Sequence, residues 1–355
     1  MNFNNKTAMK KSIILAAIAG AAVFSSCSQD ISPVKESTSP VSLKVDVGIP
    51  GTRAMIAANS TADLDANTVQ VFVFNSDGTL DNSSGLVDFG SEINLSVIPG
   101  NKTVWALVNA PEVSGTPTAS SLASSRSLLS DNALNSLVMS GFKDVVVSGS
   151  TSVTVTVKHI AAKVVLDKVT RSFTNPYYSG IPMTIKRIYM SNVAADANYA
   201  CDGQPSLWNC KMGVLDNPVQ NASLLLDDNL NVSLAEGTSY DTAHTFYVYP
   251  NPTAADDDNL ETWGPRMTRL VLECDYNGRT CYYPITIPGA AYIEAGGESA
   301  TIERNKVYHI SGLTLKRPGS TSSEQPGPEV SSNVDCTFQV TVSEWEDDIM
   351  YNEVF

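Results

Sequence analysis

The feature that most constrains this chain is a recurring alternation of apolar and polar residues with a period of two. Residues 69–74 (VQVFVF), 103–109 (TVWALVN) and 152–157 (SVTVTV) show it, as do 162–169, 183–190, 245–249, 269–276, 281–287 and 301–310. Such alternation marks a strand with one buried face, and these segments are bounded by Gly, Pro, Asn or Asp, which turn a chain. Only 120–139, with Leu122, Leu128, Leu129, Leu134, Leu137 and Val138, reads as helical. Many strands and a minor helical insertion predict a mainly all-β fold of two β-sandwich domains. The stretch 170–178 reads as their boundary. This gives an N-terminal sandwich over 54–172 and a C-terminal one over 173–315.

Two further alternating segments stand at the ends. Val41, Leu43, Val45 and Val47 share one face, with Ser42, Lys44 and Asp46 on the other. Soon after comes Gly51-Thr52-Arg53-Ala54, a turn-like spot with a basic residue. Near the other end, Cys336, Phe338, Val340 and Val342 alternate with Thr337, Gln339, Thr341 and Ser343. Ahead of this last strand, 317–333 is rich in Pro, Gly and Ser and has little to bury, as linkers do. Fully extended it would reach roughly 55 Å at about 3.3 Å per residue. A terminal strand is commonly pinned to its own domain. A long leash before a well-formed strand suits a different use, entry into a sheet edge of another chain. Residues 316–355 therefore read as a flexible linker and a donor strand.

Composition narrows the partners. The 355 residues carry 23 Lys and Arg against 37 Asp and Glu, a net charge of −14. Nucleic acid needs a basic surface, so it is not an expected partner. Three His and no His/Cys cluster argue against a zinc or haem enzyme, and no metal or cofactor is expected. The chain begins with Lys6, Lys10 and Lys11 and then a 12-residue apolar run over 13–24. That run is shorter than the roughly 20 residues a spanning helix needs, and reads as a secretion signal over 1–26. Phe24-Ser25-Ser26-Cys27 follows, and it resembles a bacterial lipobox whose Cys27 becomes the lipidated first residue. Residues 27–53 then form a propeptide that contains the first strand. Cys274 and Cys281 flank an Asn277-Gly278 hairpin turn and would face each other across two strands. They are one candidate disulfide pair, and Cys201 with Cys210 is another. Buried thiols packed as small apolar groups are the equal alternative.

The order of these segments resembles the Bacteroidales fimbrillin family, the shaft subunits of type V pili. The resemblance runs from Cys27 through Gly51-Thr52-Arg53-Ala54, VQVFVFNSDG at 69–78 and GNKTVWALVNAP at 100–111. It continues with HIAAKVV at 159–165, FYVYPN at 246–251, RNKVYHI at 304–310 and VTVSEW at 340–345. The resemblance implies a lipoprotein precursor held at the outer membrane by the lipid on Cys27. It implies an arginine-specific protease that cuts after Arg53, leaving Ala54 first and removing the Val41 to Val47 strand. It also implies a neighbouring identical or homologous pilus subunit whose Cys336, Phe338, Val340 and Val342 strand fills the vacated groove. Four buried aliphatic side chains would supply roughly 6–12 kcal/mol of gross driving force. A head-to-tail contact of this kind need not close, so it propagates into a filament. The segment ahead of Ala54 holds six of the 23 basic residues and three of the 37 acidic ones, so its loss takes the charge from −14 to −17. Arg126 is a less favoured cut site.

A rival reading is a monomeric outer-membrane surface lipoprotein that binds glycans, with Trp208 or Trp263 stacked on sugars. Catalysis finds no support. No nucleophile elbow places a Ser, His and Asp together. Asp256-Asp257-Asp258 and Asp227-Asp228 lack the spacing of an EF-hand loop and read as solvated turns.

Overall fold

A computed structural model describes residues 39–50, 65–216, 218–256, 263–289, 292–293, 296–297, 299–324 and 336–345. The first half contains β1 (Val41–Gly48), β2 (Thr68–Asn75), β3 (Leu80–Asp88), β4 (Ile93–Val97) and β5 (Gly100–Val108). It also contains β6 (Met139–Val147) and β7 (Thr151–Thr156). Two sheets result. One has the order β4-β1-β7; the other runs β3-β2-β5-β6 and ends on the short strand Lys158–His159. Between them lies an aliphatic core with Leu43, Val45, Val71, Val73, Ile93, Val104, Val153 and Val155.

The central strand β2 is buried on both faces. Val71 and Val73 meet the aliphatic core, whereas Phe72 and Phe74 join Trp105, Leu107, Leu122 and Leu129 in a second cluster. Its one interior polar residue, Gln70, donates through Nε2 to the Pro111 carbonyl at 3.0 Å and accepts from the Val113 amide at 3.0 Å. A buried amide with both ends bonded costs the fold little.

The helical expectation for 120–139 is corrected. The only α-helix there is Ala119–Ser124, capped by Thr118, whose hydroxyl accepts from the Ser121 amide at 3.1 Å. The Ser124 and Ser125 hydroxyls donate to the carbonyls of Ser120 and Ser121 at 2.7 Å. Serines that bond nearby backbone in this way are weak helix formers. After Ser125 the chain extends, and Arg126–Leu128 pairs with Asp196–Asn198.

The second half holds β8 (Ala162–Leu166), β9 (Val169–Arg171), β10 (Met183–Ser191) and β11 (His244–Val248). It continues with β12 (Arg269–Tyr276), β13 (Arg279–Thr286), β14 (Lys306–Leu315) and β15 (Cys336–Glu344). β8 and then β9 run parallel along one edge of β14, and β11 lies antiparallel outside β8. β10, β12 and β13 form an antiparallel sheet. Val164, Phe246 and Ile310 of the first sheet share a core with Ile188, Leu272 and Tyr283 of the second. The fold is thus of β-sandwich type, as expected.

β8 and β9 pair with β14, so the chain passes to that sheet between His159 and Ala162. Parallel pairing across some 140 residues leaves no local trace in the sequence. After β9 ends at Arg171 the chain turns, and Pro176–Ser179 forms one helical turn with Asn175 as cap. Buried Arg171 donates to the carbonyls of Tyr178, Ser179 and Ile181 at 2.8, 3.2 and 2.9 Å.

Gly141 marks where the two N-terminal sheets meet. A Cβ on it would lie 2.1 Å from the Thr156 carbonyl oxygen at the end of β7. Overpacking against backbone typically costs about 1–3 kcal/mol. Gly141→Ala is expected to lower the denaturation midpoint accordingly, and an unchanged midpoint would contradict this close approach.

Candidate functional site

The first strand is held on both edges. Val41–Val45 runs antiparallel to Ile93–Val97 of β4, and Leu43–Gly48 runs parallel to Thr151–Thr156 of β7. Among the described residues, β4 and β7 are joined only through β1. Leu43 and Val45 are buried, Val41 and Val47 are half-buried, and Ser42, Lys44 and Asp46 are exposed, as the alternation requires. Ile49, which the sequence reading stopped short of, is also buried. Without β1, two unpaired sheet edges would face each other over an apolar floor that includes Val71, Val73 and Val104. Unpaired edges of this kind are templates for another strand. At about 1.5–3 kcal/mol each, Leu43, Val45 and Ile49 set the gross apolar gain near roughly 5–9 kcal/mol.

The last strand is held on one edge. β15 lies antiparallel on the side of β14 opposite β8 and β9, with Glu344 across from Lys306, Val340 from Ile310 and Cys336 from Leu315. Cys336 and Val340 are buried and Phe338 and Val342 half-buried, while Thr337, Gln339 and Thr341 are exposed. In the isolated chain this strand therefore caps its own sheet, as a pinned terminal strand does. Trp345 anchors its end. Its amide donates to the Asn305 carbonyl at 3.0 Å. Its ring stacks on His159 at a centroid distance of 4.2 Å and on Tyr247 at 5.9 Å. Glu344 pairs with Lys306.

The leash is shorter than its composition suggests. Ser320 and Tyr282 exchange two backbone hydrogen bonds, at 2.8 and 2.9 Å, and the Tyr283 hydroxyl donates to the Arg317 carbonyl at 2.7 Å. Buried Glu324 pairs with Arg269 and lies 3.7 Å from Arg266. It also accepts from Asn192 Nδ2 at 3.1 Å. Burial raises the Glu324 carboxyl above its ordinary pKa, against the opposing pull of Arg269. The expectation of a linker free from 316 is corrected: the chain is tied down to Glu324. The interval from Glu324 to Cys336 reaches about 40 Å at most, at about 3.3 Å per residue.

Other expected sites fall out as follows. Cys27, Arg53 and Ala54 lie outside the described residues. Arg126 is engaged in a strand, with Asp196 at 2.8 Å and the Gln204 carbonyl at 2.7 Å, a poor setting for a protease. None of Cys201, Cys210, Cys274, Cys281 and Cys336 is joined in a disulfide. Cys274 and Cys281 do face each other across the hairpin, as thiols. They sit at a hydrogen-bonded pair, where side chains stand wider apart than at the alternate pairs. Burial pushes the Cys274 thiol well up. Cys201 and Cys210 are likewise separate. Three of the acidic residues have basic neighbours: Asp256 pairs with Arg269, Asp227 Oδ2 lies 2.6 Å from His244 Nδ1, and Asp228 Oδ1 lies 3.7 Å from Arg187 Nε. Among the described residues no three His, Cys, Asp or Glu side chains gather as a metal site.

No protein-family model and no curated protein matches the chain. Solved structures do. A "putative cell adhesion protein" of Bacteroides eggerthii superposes with a TM-score of 0.62 at 20% identity, covering 86% of this chain and 96% of the other. A fimbrilin of Porphyromonas gingivalis gives 0.55 at 15% identity, covering 87% and 98%. The tip fimbrial protein Mfa3 of the same organism gives 0.50 at 12%, covering 86% and 100%. The chain therefore has the fimbrillin-like β-sandwich fold.

Two substitutions probe the end strands separately. Leu43→Ala is expected to cost about 2–5 kcal/mol of global stability, the usual loss for a buried leucine, and should lower the melting temperature. Trp345→Ala should instead act locally. Amides over 336–344 should lose hydrogen-exchange protection by about tenfold or more while the body of the fold keeps its own. Unaltered protection over 336–344 would show that the tryptophan does not anchor the strand.

Proposed function

We propose that this protein is a structural subunit of a cell-surface pilus, assembled by donor-strand exchange and supporting adhesion. The observation that carries the reading is that β1 alone bridges β4 and β7, while a strand of the same alternation stands at a sheet edge beyond a tether. The fold shared with fimbrilins and cell adhesion proteins supports it. On this reading the precursor is an outer-membrane lipoprotein acylated on Cys27. An arginine-specific protease cuts after Arg53, β1 departs, and β15 of another copy takes its place. The groove is lined by β4, β7 and the valines beneath β1. Its partners are further copies or homologous pilus subunits.

The reading is tested by digesting the purified protein with an arginine-specific protease and running the product unboiled on a denaturing gel. The expected result is a ladder of oligomers whose subunits begin at Ala54. Truncation after Glu324 should abolish the ladder and leave a folded, cleaved monomer. A stable full-length monomer beginning at Ala54, or a ladder that survives the truncation, would overturn the assignment.

A further inference from the structure

A cleft beside the short strand Trp208–Asn209 is built by residues that take no part in either end strand. The two-residue strand Trp208–Asn209 pairs with Val193–Ala194, and the chain then turns through Lys211–Gly213. Cys210 and Met212 both take positive φ there, at 50° and 54°. That conformation is uncommon for side chains of this bulk and marks a backbone fixed by its surroundings. Trp208, Asn209 and Lys211, with Ser130, Leu207 and Gln220, line a cleft of about 550 Å³. Small-molecule sites commonly occupy about 300–1,000 Å³.

The lining has the chemistry of a sugar site. Trp208 is half-buried and meets Trp263 edge-on, with centroids 5.6 Å apart. Lys211 Nζ stands 5.4 Å from the Trp263 ring centroid and is the only charged lining residue among those described. Asn209 is buried, and its Nδ2 has no hydrogen-bond partner among the described residues. A pyranose ring offers an apolar C–H face to an aromatic side chain, and a sugar carboxylate offers a charged partner to an ammonium.

We propose that this cleft binds a short oligosaccharide bearing a carboxylate. Trp208 covers a ring face, and Lys211 receives the acid. The cation matters because the chain as a whole carries −14. The site does not depend on strand exchange, since β1, β4, β7 and β15 contribute nothing to it.

Isothermal titration of the purified protein with 3′-sialyllactose and with neutral chitotriose tests the proposal. Saturable binding of the acidic sugar is expected, weakened about tenfold by Trp208→Ala and by Lys211→Gln. Lys211 is exposed, so its variant should keep the parent melting temperature. Binding of chitotriose alone, or an affinity indifferent to Lys211→Gln, would overturn the acidic preference. Absence of saturable binding by either sugar up to about 10 mM, or binding unchanged in Trp208→Ala, would overturn the sugar site itself.

Discussion

The pairing of β1 on both of its edges is the constraint from which the rest of the N-terminal sandwich follows. β4 and β7 meet only through it, so one short strand holds the second sheet together. β15 is held differently, by one edge of β14 and a terminal ring stack. A strand between two neighbours makes main-chain hydrogen bonds on both sides, and an edge strand on one side only. Each such bond is worth about 0.5–1.5 kcal/mol net. On the proposed assembly, a strand that leaves β14 for an emptied β4–β7 groove therefore exchanges one bonded edge for two. That gain would have to outweigh the loss of β1 from the groove and the cost of bringing two subunits together.

The same comparison explains the behaviour expected of the uncleaved chain. While β1 is covalently attached, its effective concentration at the groove far exceeds that of any strand on another molecule. The last strand meanwhile finds its best available place on its own β14. Glu324 contributes by fixing where the tether begins, since its carboxylate is buried against Arg269 and Arg266. A buried carboxylate must keep its partners or suffer a large desolvation penalty, so this point of the chain is held in place.

Much of this was legible in the sequence, and the failures have physical reasons. The alternation at Val41, Leu43, Val45 and Val47 gave the buried face of β1, because a half-buried strand leaves a period-two record. It could not give the two-sided pairing, since backbone bonds carry no side-chain signature. The Asn277-Gly278 turn was legible and sets the register that puts Cys274 opposite Cys281. Glu324 was missed because a lone acid in a Pro/Gly/Ser run looks solvated, and its guanidinium partners lie more than 50 residues away. Leu122, Leu128 and Leu129 mimicked a helical face, although the serines between them favour caps and turns. Asn209 left no signal at all, because the absence of a hydrogen bond is a property of the fold and not of the residue.

A cut after Arg53 would break no strand pairing by itself. It would turn an intramolecular strand into a ligand, which must then compete with β15 of other copies at their own concentration. Two features bias that competition. On the proposed assembly the leaving strand stays on the segment lipidated at Cys27 and carries Lys44 and Asp46 on its exposed face, whereas the incoming one brings a whole subunit. The chain is rich in uncharged polar groups, with 95 Ser, Thr and Asn residues among 355. At −17 per processed subunit, a densely charged interface would add repulsion at every repeat, and screening is weak within roughly 8–10 Å at physiological salt. On the proposed assembly, a contact of low charge density would let a short apolar strand decide the outcome.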